Sequence, residues 1–126
     1  MTVVLDASVM LALFLKEPGS DKVMAALPGA VISTVNLAEV YTKSREKGLD
    51  AAEVKRLVGG LPIRIVPFDD AHAFITGELR APTRQFGLSL GDRACLATAR
   101  LERLPVLTTD RAWLKLGLDI EVQVIR

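Results

Sequence analysis

Residues 3–8, Val3-Val4-Leu5-Asp6-Ala7-Ser8, open on a short β-branched and apolar run, stop it at an acid, and continue into small residues that start the helical spacing of Ala7 to Leu15. A strand that ends on a carboxylate and passes directly into a helix is the first half of a βα unit. The same grammar recurs along the chain. Val31 to Ser33, Ile63 to Val66, Val106 to Leu107 and Val122 to Ile125 read as further strands. Helical spacing occupies Ser20 to Leu27, Thr34 to Lys47, Ala51 to Gly60, Asp69 to Arg84, Leu90 to Arg103 and a short stretch from Asp110 to Leu116. Strands alternating with helices imply an α/β fold, with a central parallel sheet of about five strands and helices on both faces, in three layers α/β/α. The expected organisation is one domain over residues 1–126.

Composition narrows the function classes. Half of the 126 residues are hydrophobic and 25% are charged, a globular balance, and no apolar run approaches a membrane span. The apolar N-terminal stretch has no basic region before it and is interrupted by Asp6, so a cytoplasmic protein is expected and export is not. Cys95 is the only cysteine and lies in the apolar helical run ACLATA, which excludes an internal disulfide or a cysteine zinc cluster and points to a buried, inert thiol. A net charge of +1 is too small for a protein that coats duplex nucleic acid, so any nucleic-acid contact has to be local.

In an open parallel sheet, ligands bind outside the carboxyl ends of the strands. Four acids gather toward that edge. Asp6 ends the first strand, Glu39 lies in the second turn of the helix after the second strand, Asp92 lies in the first turn of the helix leading to the fourth, and Asp110 follows the fourth. Each also has an ordinary structural duty open to it. Asp6 and Asp110 stand where helix N-caps stand, Ser89-Leu90-Gly91-Asp92 has the form of a capping box, and Glu39 falls on the polar side of its helix with Asn36, Lys43 and Glu46. Together they form the all-oxygen donor set that Mg²⁺ requires.

With these pieces in this order, VLDASV, NLAEVYTK, LSLGDRACLATA and LPVLTTDRAW, the whole chain resembles the PIN-domain ribonucleases, and among them the VapC-type toxins of type II toxin–antitoxin pairs. The resemblance implies a Mg²⁺-dependent endoribonuclease, with Mn²⁺ as a possible substitute, whose catalytic and metal-binding acids are Asp6, Glu39, Asp92 and Asp110, supported by Ser8, Asn36 and Thr109. It also implies an RNA substrate, a cognate antitoxin and a homodimer, to whose surface the apolar residues Val9, Leu11, Leu13 and Phe14 can contribute where they do not pack in the core. Some PIN domains carry a further acid just after the fourth; here Arg111, Ala112 and Trp113 follow Asp110, which leaves a second metal position without that donor.

The implied chemistry is attack by metal-activated water on the phosphodiester, which leaves a 5′-phosphate and a 3′-hydroxyl. A two-histidine mechanism is excluded by count, because His72 is the only histidine and stands beside Asp69 and Asp70 where a surface or capping residue is expected. Arg93, Arg111, Lys43, Arg45 and Lys47 are candidate phosphate contacts, and with few aromatic residues and little net charge single-stranded or looped RNA is expected in preference to duplex. The competing readings are an RNA-processing nuclease of the same type without a toxin role, a non-catalytic RNA-binding module, and a phosphoacceptor domain. The last needs an acidic pair at the first strand, where Asp6 stands alone.

Overall fold

The computed structural model describes residues 2–126. Its elements are β1 (Val4–Leu5), α1 (Ala7–Phe14), α2 (Ser20–Ala26), β2 (Val31–Ser33), α3 (Thr34–Glu46), α4 (Ala51–Gly59), β3 (Arg64–Val66), α5 (Asp70–Glu78), α6 (Arg80–Thr83), α7 (Leu90–Glu102), β4 (Val106–Thr108) and β5 (Val122–Val124). Two 3-10 turns, Arg84–Phe86 and Arg111–Lys115, follow α6 and β4. The five strands form one parallel sheet in the order β3-β2-β1-β4-β5.

The layering comes from the alternation of side chains along each strand. Val3 and Leu5 enter the core under α1, α2 and α3, whereas Val4 enters the core formed with α7; Ile32 and Val31, and Leu107 and Val106, divide in the same way. Central strands that are apolar on both sides need helices on both faces, which gives the expected three layers. After β1 the chain builds outward to β2 and β3, then returns to place β4 on the other flank of β1. The strand order therefore reverses between β1 and β4, and a crevice opens outside their carboxyl ends.

One element departs from its expected extent. The helical spacing of Asp69 to Arg84 is divided into α5, α6 and a 3-10 turn. Pro82 has no N–H to give to the carbonyl of Glu78, and its ring crowds that same carbonyl, so the α-helix ends at Glu78. The stretch after Asp110 also winds as a 3-10 turn, with Trp113 buried beneath it. Among the described residues no helix is long and apolar enough to cross a membrane.

The last strand is fastened to the start of α2 by a close approach of backbones. Gly19 has φ +94, and a Cβ there would lie 2.7 Å from the carbonyl oxygen of Ile125. Arg126 closes the same junction, donating to the carbonyl of Pro18 at 3.0 Å. Gly19→Ala combines a left-handed backbone with a steric clash, and is expected to destabilise the fold by about 2 kcal/mol or more, read as a lower urea midpoint.

Candidate metal centre

Asp6 sits at the reversal point of the sheet. Its N–H donates to the carbonyl of Leu107 at 3.0 Å, which extends the β1–β4 ladder by one residue. The register pairs Val4 with Val106 and Leu5 with Leu107, so the next position sets Asp6 across from Thr108. Thr108 Oγ1 donates to Asp6 Oδ2 at 2.9 Å, and Ser8 Oγ donates to the same oxygen at 2.7 Å. The frame continues to the fourth acid: Thr109 N–H donates to Ser8 Oγ at 3.1 Å, and Asp110 N–H donates to Thr108 Oγ1 at 3.1 Å.

Asp6 occupies the N-cap position of α1, yet its side chain makes no capping hydrogen bond. Its carboxylate is turned into the crevice and is 6% exposed. Burial pushes its pKa from an ordinary 3.8 up to about 6; the hydrogen bonds from Ser8 and Thr108 work against the rise, and the charges of Asp92 and Glu39 add to it. The same three carboxylates, after burial itself, raise the pKa of the Cys95 thiol, which is fully enclosed on α7 behind them and is buried as expected.

Glu39 does not lie on a solvated helix face. The side of α3 that carries it packs toward the amino end of α7, where Asn36 is fully buried and donates to Glu39 Oε1 at 2.8 Å and to the Gly91 carbonyl at 2.9 Å. Gly91 lies directly against the Glu39 carboxylate, and any Cβ at that position would collide with it. Sequence spacing assigned Glu39 to the polar side of a helix covered on one face only, whereas α3 packs against both α1 and α7.

Asp92 does form the expected capping box. Ser89 N–H donates to Asp92 Oδ2 at 3.0 Å, and Asp92 N–H donates to Ser89 Oγ at 3.1 Å. Asp110 caps the following turn, accepting from Ala112 N–H at 3.0 Å through Oδ1, and is exposed at the rim. Each of the four acids thus uses one oxygen for its local frame, and no described residue donates to the other.

Asp6, Glu39 and Asp92 share one electrostatic neighbourhood, with Asp110 joined to it through Thr108. Among the described residues no three His, Cys, Asp or Glu side chains stand close enough to ligate one ion as they are placed. The donor chemistry nevertheless fits a hard divalent cation. All four free atoms are carboxylate oxygens, the Asn36 Oδ1 beside them is buried without a partner, and Asp6 carries a burial penalty that a bound cation offsets.

Two residues escaped sequence reading. Thr108, not Thr109, supplies the side chain that grips Asp6; strand alternation puts it on the Val106 face, but only the register shows that Asp6 is opposite. Gly91 carries a weak signal, as a poor helix former inside the first turn of a helix.

One other expectation, for His72, is corrected. His72 is buried, 7% exposed, with Nδ1 2.7 Å from Asp69 Oδ1 and its ring tilted against Phe68. That contact holds the Asp69 carboxyl below its ordinary range, and none of the partners of His72 is one of the four acids. Arg93 turns to α5, donating to the Thr76 carbonyl at 3.1 Å, and Arg111 donates to the Arg126 carbonyl at 3.1 Å. Val9 is in the core, with Leu13 and Phe14 partly buried against it.

The model of the PIN domain family matches residues 3–117. In fold the chain is similar to a protein of a toxin–antitoxin complex from Klebsiella pneumoniae, with 20% identity, 98% of each chain covered and a TM-score of 0.78. It is similar also to VapC20 of Mycobacterium tuberculosis, described as a sarcin-ricin loop cleaving toxin, with 15% identity over 94% of this chain and 98% of that one and a TM-score of 0.78. A chain of DNA-bound VapBC from Salmonella typhimurium gives 17% identity, 100% and 99% coverage and a TM-score of 0.76. At these identities the likeness is one of fold. No curated protein matches the chain.

The raised pKa of Asp6 has a consequence for stability. The unfolded chain loses this proton near 3.8 and the folded chain near 6, so ionisation favours the unfolded state across that interval. Below the lower value the penalty is absent. It grows as pH rises and is complete above the upper one, at about 3 kcal/mol. Asp6→Asn keeps an acceptor for Ser8 and Thr108 and removes the charge. In EDTA it is expected to be about 1–3 kcal/mol more stable than wild type at neutral pH, with the gain fading toward pH 4 in urea titrations. A less stable variant at neutral pH refutes the assignment.

Proposed function

The chain belongs to the PIN domain family, and we propose that within it the protein is a divalent-metal-dependent endoribonuclease, using Mg²⁺ or Mn²⁺, and the toxin of a type II toxin–antitoxin pair. The observation that carries this reading is Asp6: a carboxylate buried at the reversal point of the sheet, released from helix capping, hydrogen-bonded through one oxygen and left with a raised pKa beside Glu39 and Asp92. Such a group is costly to the fold, and its placement makes chemical sense as a cation ligand. VapC20 of Mycobacterium tuberculosis, described as cleaving the sarcin-ricin loop, and the toxin–antitoxin complex of Klebsiella pneumoniae support the RNA target and the antitoxin partner by likeness of fold. A cytoplasmic location and a homodimer complete the proposal.

In this reading Asp6, Glu39, Asp92 and Asp110 hold the metal. When bound, the cation supplies Lewis acidity toward the phosphodiester and lowers the pKa of a water. The protein's own part is orientation. Ser8 and Thr108 fix the rotamer of Asp6, Asn36 fixes Glu39 against Gly91, and the capping box fixes Asp92. At pH values below about 6 the Asp6 carboxylate takes up a proton, so metal affinity and cleavage both fall as pH drops through that range.

Two measurements check this. With defined single-stranded and looped RNAs, wild type is expected to cleave in Mg²⁺ or Mn²⁺ and not in EDTA, leaving 5′-phosphate ends, while Asp6→Asn loses about 100-fold or more. Equal activity under all of these conditions, or cyclic phosphate ends, rules the mechanism out. Gly91→Ala keeps all four acids but drives a methyl group into the Glu39 carboxylate. Its cleavage rate is expected to fall by about 10-fold or more, with far-UV circular dichroism unchanged.

A further inference from the structure

Beside the acids lies a cavity of about 240 Å³ that opens between α1, the carboxyl end of α3 and the end of β4. Ser8 and Thr109 form its border with the metal centre, so it is continuous with the Asp6 frame. Leu11 and Leu15 of α1 give it an apolar wall. Opposite them stand Lys43, Glu46 and Lys47.

These side chains belong to one ridge. Asn36, Glu39, Lys43, Glu46 and Lys47 follow helical spacing along a single face of α3 and its cap residue, so the ridge that begins at the candidate metal ligand ends at two lysines. Lys43 lies one turn from Glu39 and Lys47 two, steps of about 6 Å each along the axis. Steps of that length are of the order of the distance between successive phosphates in an extended single strand.

The charge arrangement favours an anion. Glu17 on the rim pairs with Arg126 at 3.6 Å; of the other charged groups in the lining, none of which makes an ion pair among the described residues, the two lysines Lys43 and Lys47 outnumber the one carboxylate, Glu46. Arg45 is exposed on the other side of the helix and does not line the cavity. The volume falls below the roughly 300 Å³ at which pockets for larger ligands begin. One planar base has room against the two leucines.

We propose that this cavity seats the nucleotide next to the scissile phosphate of a single-stranded RNA, with its base against Leu11 and Leu15 and successive phosphates on Lys43 and Lys47. The proposal rests on the ribonuclease reading. It adds a direction: the RNA strand runs along α3 from Glu39 to Lys47.

The test uses the full chain carrying Asp6→Asn, so that RNA is bound and not cut, and fluorescein-labelled oligo(A), oligo(C), oligo(G) and oligo(U) as probes in anisotropy titrations across a salt series. Lys43→Ala combined with Lys47→Ala is expected to weaken binding about 10-fold. It should also lower the slope of log K against log salt by about 1.4, two contacts at roughly 0.7 each for a single strand. Leu11→Trp, which fills the cavity without changing charge, should weaken binding and leave the slope as it was. Lys55→Ala, on α4 and outside the cavity lining, is the control for loss of one positive charge, and neither affinity nor slope should move beyond the scatter of the assay.

If the lysine variant binds all four probes as its parent does while wild type still cleaves RNA, the subsite is refuted, the nuclease reading stands, and the cavity falls to a protein partner. A Lys55→Ala effect as large as half that of the double lysine variant also refutes it, since general electrostatic attraction then explains the binding. If wild type neither cleaves nor binds any probe, both readings fall together.

Discussion

The rest of the site depends on burying an ionisable carboxylate at the carboxyl end of β1. An uncompensated charge in that position is expensive, and the protein meets the cost only in part, with two hydroxyl donors, Ser8 from the first turn of α1 and Thr108 from the end of β4. The remainder appears as a carboxyl group that holds its proton up to about pH 6. A fold optimised for stability alone has no reason to keep this arrangement when Asn fits the same hydrogen bonds. The proposed cation, which takes up the negative charge, makes it intelligible, and the carboxylates of Glu39 and Asp92 nearby fit the same proposal.

The sheet order makes the arrangement possible. Because β4 returns to the flank of β1 opposite β2, the loops after β1 and β4 lie side by side, and their side chains form a single hydrogen-bonded frame from Asp6 to Asp110. Two helices then bring the other acids in from outside the sheet. α3 presents Glu39 through Asn36, α7 presents Asp92 through its capping box, and Gly91 lets the two helices approach closely enough that the Glu39 carboxylate rests where a methyl group would otherwise stand. A structural motif and a candidate functional group coincide at Asp92, since capping leaves one carboxylate oxygen free.

The fold was almost fully legible in the sequence, because its signals are local. Two-residue alternation and helical spacing are printed in the chain, and Pro82 marks the helix break that spacing alone passed over. The site was legible as a set of positions and not as a set of roles. Capping chemistry was open to Asp6, Asp92 and Asp110 alike; the last two use it, and Asp6 does not. Glu39 and His72 were assigned to solvent because periodicity describes one helix at a time, and each lies where a second element covers the supposedly open side.

By itself, the sequence determined the βα alternation, the parallel three-layer architecture and the positions at which acids meet the carboxyl edge, since each follows from residues within a few places of one another. Tertiary structure alone decided which threonine grips Asp6, why residue 91 is glycine, and that α3 carries a half-buried acid and two exposed lysines along one ridge. Those facts depend on the register between β1 and β4, some hundred residues apart in the chain, and on the contact between α3 and α7. No local pattern encodes them, because packing and hydrogen bonding across the assembled sheet select one register among many that the same apolar strands allow.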